Sequence, residues 1–245
     1  MLKKYLEIYK EGKFKIIIIL SIISGYFNMI DIGKKVSFES AITNSFNGIM
    51  YPLFLFFILV MTASFTITNY NKNYQSLIRF KDKKEYLEDL LSTIFKNLLL
   101  IYIVYSIICL VFIIIKYFGR YEFENSIYTG IPNFIYNLFL YVKVFLIYEL
   151  IIKIGVLIYK GTSKIIGVSF LIIMYILKSG WIYNINIVDS FRKIPLFFGY
   201  YLITTNYSSL FLELFSFVLQ VTILVIIIEI IKYFILNYKE ITIED

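Results

Sequence analysis

Residues 91–115 read LSTIFKNLLLIYIVYSIICLVFIII, and Lys96 is the single charged side chain in this stretch. About 20 mostly apolar residues, each rising 1.5 Å, cross the hydrocarbon of a bilayer as a helix. Five further apolar stretches reach that length, at residues 14–32, 50–68, 132–158, 165–183 and 210–234. The sequence therefore predicts an all-α integral membrane protein with six transmembrane helices in a single domain, 1–245.

The composition agrees with this fold and narrows the chemistry. Apolar residues make up 60% of the chain and charged residues 17%, against about 25% charged in soluble domains. The chain has no histidine and one cysteine, Cys109, which excludes Ser-His and Cys-His nucleophiles and HExxH metalloproteases. The 23 tyrosines are attributed to the codon usage of an AT-rich genome rather than to a binding surface. We expect no enzyme, no metal site and no cofactor bound by this chain.

Loop charges predict the orientation. If the N-terminus is cytoplasmic, 16 Lys and Arg side chains fall on the cytoplasmic side and 7 on the outer side. The cytoplasmic segments are then 1–15, 69–96, 153–164 and 232–245. By the positive-inside rule both termini are cytoplasmic in a multi-pass protein of the cell membrane. The net charge of +7 is explained in the same way, and nucleic acid is not an expected partner.

Two segments are predicted to lie at the membrane surface instead of crossing it. Residues 1–13 place apolar side chains at helical spacing opposite lysines, typical of an interfacial helix, although a simple basic anchor explains them too. Residues 184–209, before the sixth span, are apolar but too short to cross and are interrupted by Pro195 and Gly199. They are predicted to be a re-entrant segment, with an aromatic belt on the outer surface as the alternative.

The cytoplasmic segment 69–90 is longer than a connection between two spans requires. Its core, SLIRFKDKKEYLEDLL, combines charges of both signs with an apolar side. Two interpretations remain open for it: a solvated surface helix, or a docking element for a cytoplasmic partner.

Charged residues also occur within the predicted spans. Lys143 lies about 16 Å into the fourth span, so its side chain must face the bundle interior or water. Glu149 and Lys153 stand four residues apart, and Glu229 and Lys232 three apart, which favours local ion pairs. For Lys143 a structural and a functional role both remain open.

Six spans, an interfacial N-terminus, a re-entrant segment before span six and the sequence IRFKDKKEYL at 78–87 together resemble the permease subunits of ABC-2 type exporters. The resemblance covers nearly the whole chain and rests on architecture and this one segment, with no invariant signature. It implies a dimer with a second permease copy or paralogue, and a separate cytoplasmic subunit that binds ATP. It also implies that the segment after span two couples to this ATPase, through Leu77, Arg79, Phe80, Lys81, Asp82, Lys83, Lys84, Glu85 and Tyr86.

The expected function is therefore that of a membrane-spanning permease subunit of an ATP-driven exporter, with Lys143 and Glu149 in the translocation path. The chain has no G-x-x-x-x-G-K-[ST] motif, so ATP must be hydrolysed by the partner. The small size and the composition suggest export of, or immunity to, an antimicrobial peptide. The alternatives are a non-transporting membrane protein for immunity or sensing, and a membrane-embedded lipid-modifying enzyme.

Overall fold

The computed structural model describes residues 13–31, 42, 50–72, 82–116, 133–178 and 210–238. Within these residues every regular element is an α-helix, and each of the six helices overlaps one predicted apolar stretch. The helices are α1 (Lys13–Asp31), α2 (Met50–Lys72), α3 (Lys83–Lys116), α4 (Asn133–Gly161), α5 (Lys164–Lys178) and α6 (Leu210–Tyr238). The prediction of an all-helical fold is confirmed for the described part of the chain.

In the described part of the chain, two helices are long and apolar enough to cross a membrane, namely α3 and the Leu214–Asn237 part of α6. The described apolar stretches in α1, α2 and α5 are shorter. The predicted interfacial segment 1–13, apart from its last residue, and the re-entrant segment 184–209 lie outside the described residues. Residues 73–81 of the segment after span two lie outside them as well.

The start of α3 differs from the predicted boundary. The apolar stretch begins at residue 91, whereas the helix begins at Lys83 and continues without a break for 34 residues. The side chain of Asp82 caps this start, since its Oδ1 accepts a hydrogen bond from the backbone N–H of Glu85 at 2.7 Å. Residues 83–90 are therefore the first two turns of α3, and residues 69–72 are the last turn of α2.

A connection of two residues joins α4 to α5. Thr162 donates its backbone N–H and its hydroxyl to the carbonyl of Ile158, which closes the end of α4. The Ser163 hydroxyl then accepts the N–H of Ile166 at 3.1 Å and caps α5. With so short a connection, the two helices fold back on each other as a hairpin.

Contacts between helices show that successive helices run in alternating directions. The parallel pairs are α1 with α3 and α4 with α6, and the antiparallel pairs are α2 with α3 and α3 with α4. These directions follow from the contacts Ser24–Tyr105, Tyr26–Phe112, Thr66–Asn97, Tyr70–Asp89, Tyr86–Lys160, Tyr102–Tyr141, Phe139–Phe217 and Gly161–Ile235. As a result, α1, α3 and α5 begin, and α2, α4 and α6 end, at one end of the bundle, which we name the Asp82 end.

The fourth helix lies at the centre of the bundle. It packs against α2, α3, α5 and α6. Every side chain from 143 to 157 is buried except Leu146 and Lys153, which are half-buried. The helix that carries the most interior charge is thus surrounded by protein.

The polarity of the described surface is the reverse of that of a soluble protein. Large apolar side chains project outward along α1, α3 and α6, for example Ile19, Ile107 and Val218, each more than half exposed. Charged and amide side chains, including Lys143 and Asn97, are buried. Soluble monomers rarely expose contiguous apolar surface on this scale, whereas a lipid environment favours it.

Candidate functional site

Five of the nine predicted coupling residues are described, and they form the cap and the first turn of α3. Asp82, Lys83, Lys84 and Glu85 are exposed, whereas Tyr86 is 3% exposed. The other four predicted coupling residues, Leu77, Arg79, Phe80 and Lys81, lie outside the described residues. The described part thus presents four adjacent charged side chains followed by one buried aromatic ring.

Tyr86 attaches this charged turn to the neighbouring helices. Its ring lies 5.6 Å from the ring of Tyr70 on α2, measured between centroids. On the other side, the ammonium of Lys160 on α4 is 5.9 Å from the Tyr86 ring centroid, within the range of a cation–π contact. The Tyr70 hydroxyl also donates a hydrogen bond to the carboxylate of Asp89, one turn further along α3. The start of α3 is therefore held against the ends of both α2 and α4.

Two lysines flank the α4–α5 connection at this end, Lys160 in the last turn of α4 and Lys164 at the start of α5. Burial of the Lys160 ammonium lowers its pKa, and the nearby charge of Lys164 lowers that pKa further. The aromatic face of Tyr86 offsets part of this cost, because the ring attracts the ammonium. Neither Lys160 nor Tyr70 could be recognised from spacing along one helix, because their contacts depend on the packing of different helices.

Lys143 lies in the interior of the bundle, as the sequence predicted. Its side chain is 2% exposed, and its ammonium is 5.8 Å from the ring centroid of Phe139, one turn earlier on α4. A buried ammonium is costly in an apolar interior, and an aromatic face reduces that cost. The structure therefore places Lys143 within packed protein and away from the exterior.

Glu149 and Lys153 form the predicted ion pair. The glutamate side chain is 2% exposed and the lysine 21%. The Lys153 ammonium also lies 5.3 Å from the ring centroid of Phe95, so the pair on α4 reaches across to α3. The Glu229–Lys232 pair is formed as well, at 2.8 Å between Nζ and Oε1 on the more exposed surface of α6.

Tyrosines contribute more to the interior than the composition suggested. Tyr102, Tyr105, Tyr136 and Tyr148 are each at most 1% exposed and are among the largest fully buried side chains. The Tyr102 hydroxyl donates to the backbone carbonyl of Tyr141 at 2.8 Å, which links α3 to α4. These tyrosines lie within apolar stretches of the sequence, and this position indicates burial in the bundle, because a phenol hydroxyl there needs a hydrogen-bond partner within the protein.

No known protein family, no curated protein and no solved structure matches this chain.

Proposed function

We propose that the protein is a multi-pass protein of the cell membrane whose six helices cross the bilayer with the Asp82 end in the cytoplasm. The outward apolar faces and the alternating helix directions support this proposal. The distribution of charge supports the orientation, because most described lysines at helix ends lie at the Asp82 end. Those lysines are Lys15, Lys83, Lys84, Lys160, Lys164 and Lys232, whereas Lys116 and Lys178, the last residues of α3 and α5, lie at the opposite end.

Within the membrane we assign the chain the role of a permease subunit of an ATP-driven exporter, working as a dimer with a separate ATPase. The observation that carries this role is the start of α3. Exposed charges at 82–85 give a soluble partner an accessible surface, and Tyr86 fastens that surface to α2 and α4. A displacement of the charged turn by the partner would therefore be passed directly to the central helix.

The central helix provides the second half of the proposed mechanism. Lys143 and the Glu149–Lys153 pair put polar groups in the interior, where an opening between two permease copies would expose them. A polar or charged molecule crossing the bilayer needs such groups to replace its hydration. We propose antimicrobial peptides as the transported class, in keeping with the small size of the chain.

The test is co-purification of an ATPase subunit with this chain, in mild detergent from native membranes, with the retained proteins identified by mass spectrometry. We expect the wild-type chain to retain the ATPase and the Lys83→Glu/Lys84→Glu variant to retain it about tenfold less, because two charge reversals oppose association. Lys15→Glu is the matched control, since Lys15 is an exposed lysine at the same end on α1. Equal retention by all three forms contradicts docking at α3.

A second variant tests the attachment. Tyr86→Phe keeps the ring that contacts Tyr70 and Lys160, whereas Tyr86→Ala removes it. We expect Tyr86→Ala to lower ATPase stimulation by the transported peptide while Tyr86→Phe retains it. A wild-type chain that fractionates with membranes yet never brings down an ATPase would favour the non-transporting alternative.

A further inference from the structure

A cleft of about 280 Å³ lies between the start of α3 and the last turns of α6. This volume holds a small polar group, well beyond the roughly 30 Å³ share of one water. The lining combines two lysines, two glutamates and three less polar side chains: Lys84, Leu87, Glu88, Glu229, Lys232, Tyr233 and Leu236. The cleft therefore carries both charge signs and no net charge.

The charges are supplied by both helices. Lys84 and Glu88 stand one turn apart on α3, and Glu229 and Lys232 are paired on α6 with 2.8 Å between Nζ and Oε1. Leu87, 2% exposed, lies between the two α3 charges in sequence and also lines the cleft. A ligand that carries one anion and one cation is the natural complement of such a lining, since it satisfies the lysines and the carboxylates together.

The cleft continues into an apolar surface. A second depression of about 500 Å³ runs along α6 and shares Glu229 and Tyr233 with the first. Its other lining residues are apolar: Val225, Ile226, Ile230 and Phe234. A ligand that fits both parts has a zwitterionic head and a hydrocarbon chain.

We propose that this is a binding site for a phospholipid with a primary-amine headgroup, of the phosphatidylethanolamine type. Its phosphate binds Lys84 and Lys232, its ammonium donates hydrogen bonds to Glu88 and Glu229, and an acyl chain lies along α6. A primary ammonium has three N–H donors, whereas a choline headgroup has none for these carboxylates. The site rests on the proposed membrane location, with the cleft at the level of the cytoplasmic headgroups, and does not depend on an ATPase partner.

The first test uses the wild-type chain alone. The delipidated protein in detergent is titrated with phosphatidylethanolamine, with its N-trimethylated analogue phosphatidylcholine, and with phosphatidylglycerol, and bound lipid is counted by native mass spectrometry. We expect about fivefold tighter binding of the ethanolamine lipid than of either other lipid, as two partly solvated charge contacts would give. Equal binding of the ethanolamine and choline lipids overturns the proposal, and so does preference for the glycerol lipid.

Soluble glycerophosphoethanolamine has the same headgroup without acyl chains, and it tests the contribution of the apolar surface of α6. We expect it to bind far more weakly than the intact lipid, and equal affinity would exclude a contact between the acyl chain and α6.

The second test reverses the preference. Glu88→Gln/Glu229→Gln removes both carboxylates and leaves Lys84 and Lys232, so this variant should bind the anionic glycerol lipid more tightly than the ethanolamine lipid. Glu85→Gln is the matched control, because Glu85 is an exposed carboxylate on α3 outside the cleft and glutamine preserves its place in the first turn. If the double variant keeps the wild-type preference, the carboxylates do not select the headgroup and the proposal is wrong. Size-exclusion profiles establish that each variant is folded.

The outcomes separate the lipid site from the proposed function. A chain absent from the membrane fraction contradicts the membrane location itself. A chain that is in the membrane and binds the ATPase, but does not distinguish the three lipids, contradicts the lipid site alone.

Discussion

Replacing Gly167 by alanine tests the packing of the α4–α5 hairpin. A Cβ built at Gly167 lies 2.6 Å from the Cα of Tyr159 and 2.7 Å from its backbone nitrogen. Carbon atoms in contact lie about 3.5–4.0 Å apart, so the two helices must separate by about 1 Å. Backbone atoms cannot rotate away as a side chain can, and the strain therefore falls on the whole helix pair.

The expected magnitude follows from two opposing terms. Overpacking of this kind costs up to about 3 kcal/mol, and the higher helix propensity of alanine returns about 1 kcal/mol. The net loss of about 2 kcal/mol corresponds to a fall in Tm of roughly 4–8 °C for a chain of this size. The measurement is thermal unfolding of the purified protein in detergent, followed by loss of the monodisperse size-exclusion peak.

Gly155 is the matched control in the same helix pair. A Cβ there meets only side-chain atoms of Leu171, the nearest at 2.5 Å, and that side chain can change rotamer. The gain in helix propensity is the same for both substitutions, so the difference between them reports the steric cost alone. Because Leu171 can move, we expect Gly155→Ala to change the Tm by less than about half as much as Gly167→Ala. A Gly167→Ala protein as stable as wild type, or a larger loss for Gly155→Ala, would refute the close approach of α5 to Tyr159.

Substitutions at three further sites, the Asp82 cap, Lys143 and the Glu149–Lys153 pair, test the cap and the interior charges. Asp82→Ala removes the acceptor of the capping hydrogen bond and should cost about 1 kcal/mol in the free energy of unfolding, whereas Asp82→Asn should stay near wild type; thermal unfolding distinguishes them. Lys143→Met removes a buried charge but also its contact with Phe139, and because these two effects oppose each other the Tm should stay near that of the wild type while peptide-stimulated ATPase activity of the reconstituted complex falls. Unchanged stimulation would leave Lys143 without a part in transport. Glu149→Gln deprives the Lys153 ammonium of its anion and should cost about 1–3 kcal/mol, and adding Lys153→Met should recover most of this loss; additive effects in the double-mutant cycle would contradict the pair.

The hydropathy of the sequence was sufficient to predict that the described helices exist and in which order they follow. It was not sufficient for the start of α3, because residues 83–90 are amphipathic and charged and so do not register as an apolar stretch. The capping pattern was present in the sequence, with Asp82 three residues before Glu85, and it predicts the observed start. The cap at Asp82 therefore assigns residues 83–90 to α3, although their hydropathy does not.

Packing between helices accounts for what the sequence could not predict. Three charges interrupt the apolar stretch of α4, and they make its hydropathy less typical of a membrane span. In the structure the helix is nevertheless central, because α2, α3, α5 and α6 pack around it. The local pairs Glu149–Lys153 and Glu229–Lys232 could be predicted from spacing along one helix. The contact of Tyr86 with Lys160 could not, since its partners are more than 70 residues apart and meet only when α3 and α4 pack.

Cysteine labelling of intact cells tests whether this bundle spans the cell membrane with the Asp82 end in the cytoplasm. Cys109 is buried and is replaced by serine, and single cysteines are then placed at Lys83, which is exposed beside the cap, and at Glu122, in the predicted outer segment. A membrane-impermeant maleimide should label the cysteine at 122 in intact cells, and the cysteine at 83 only after the cells are permeabilised. Labelling at 83 in intact cells, or recovery of the chain in the soluble fraction, would contradict this membrane topology.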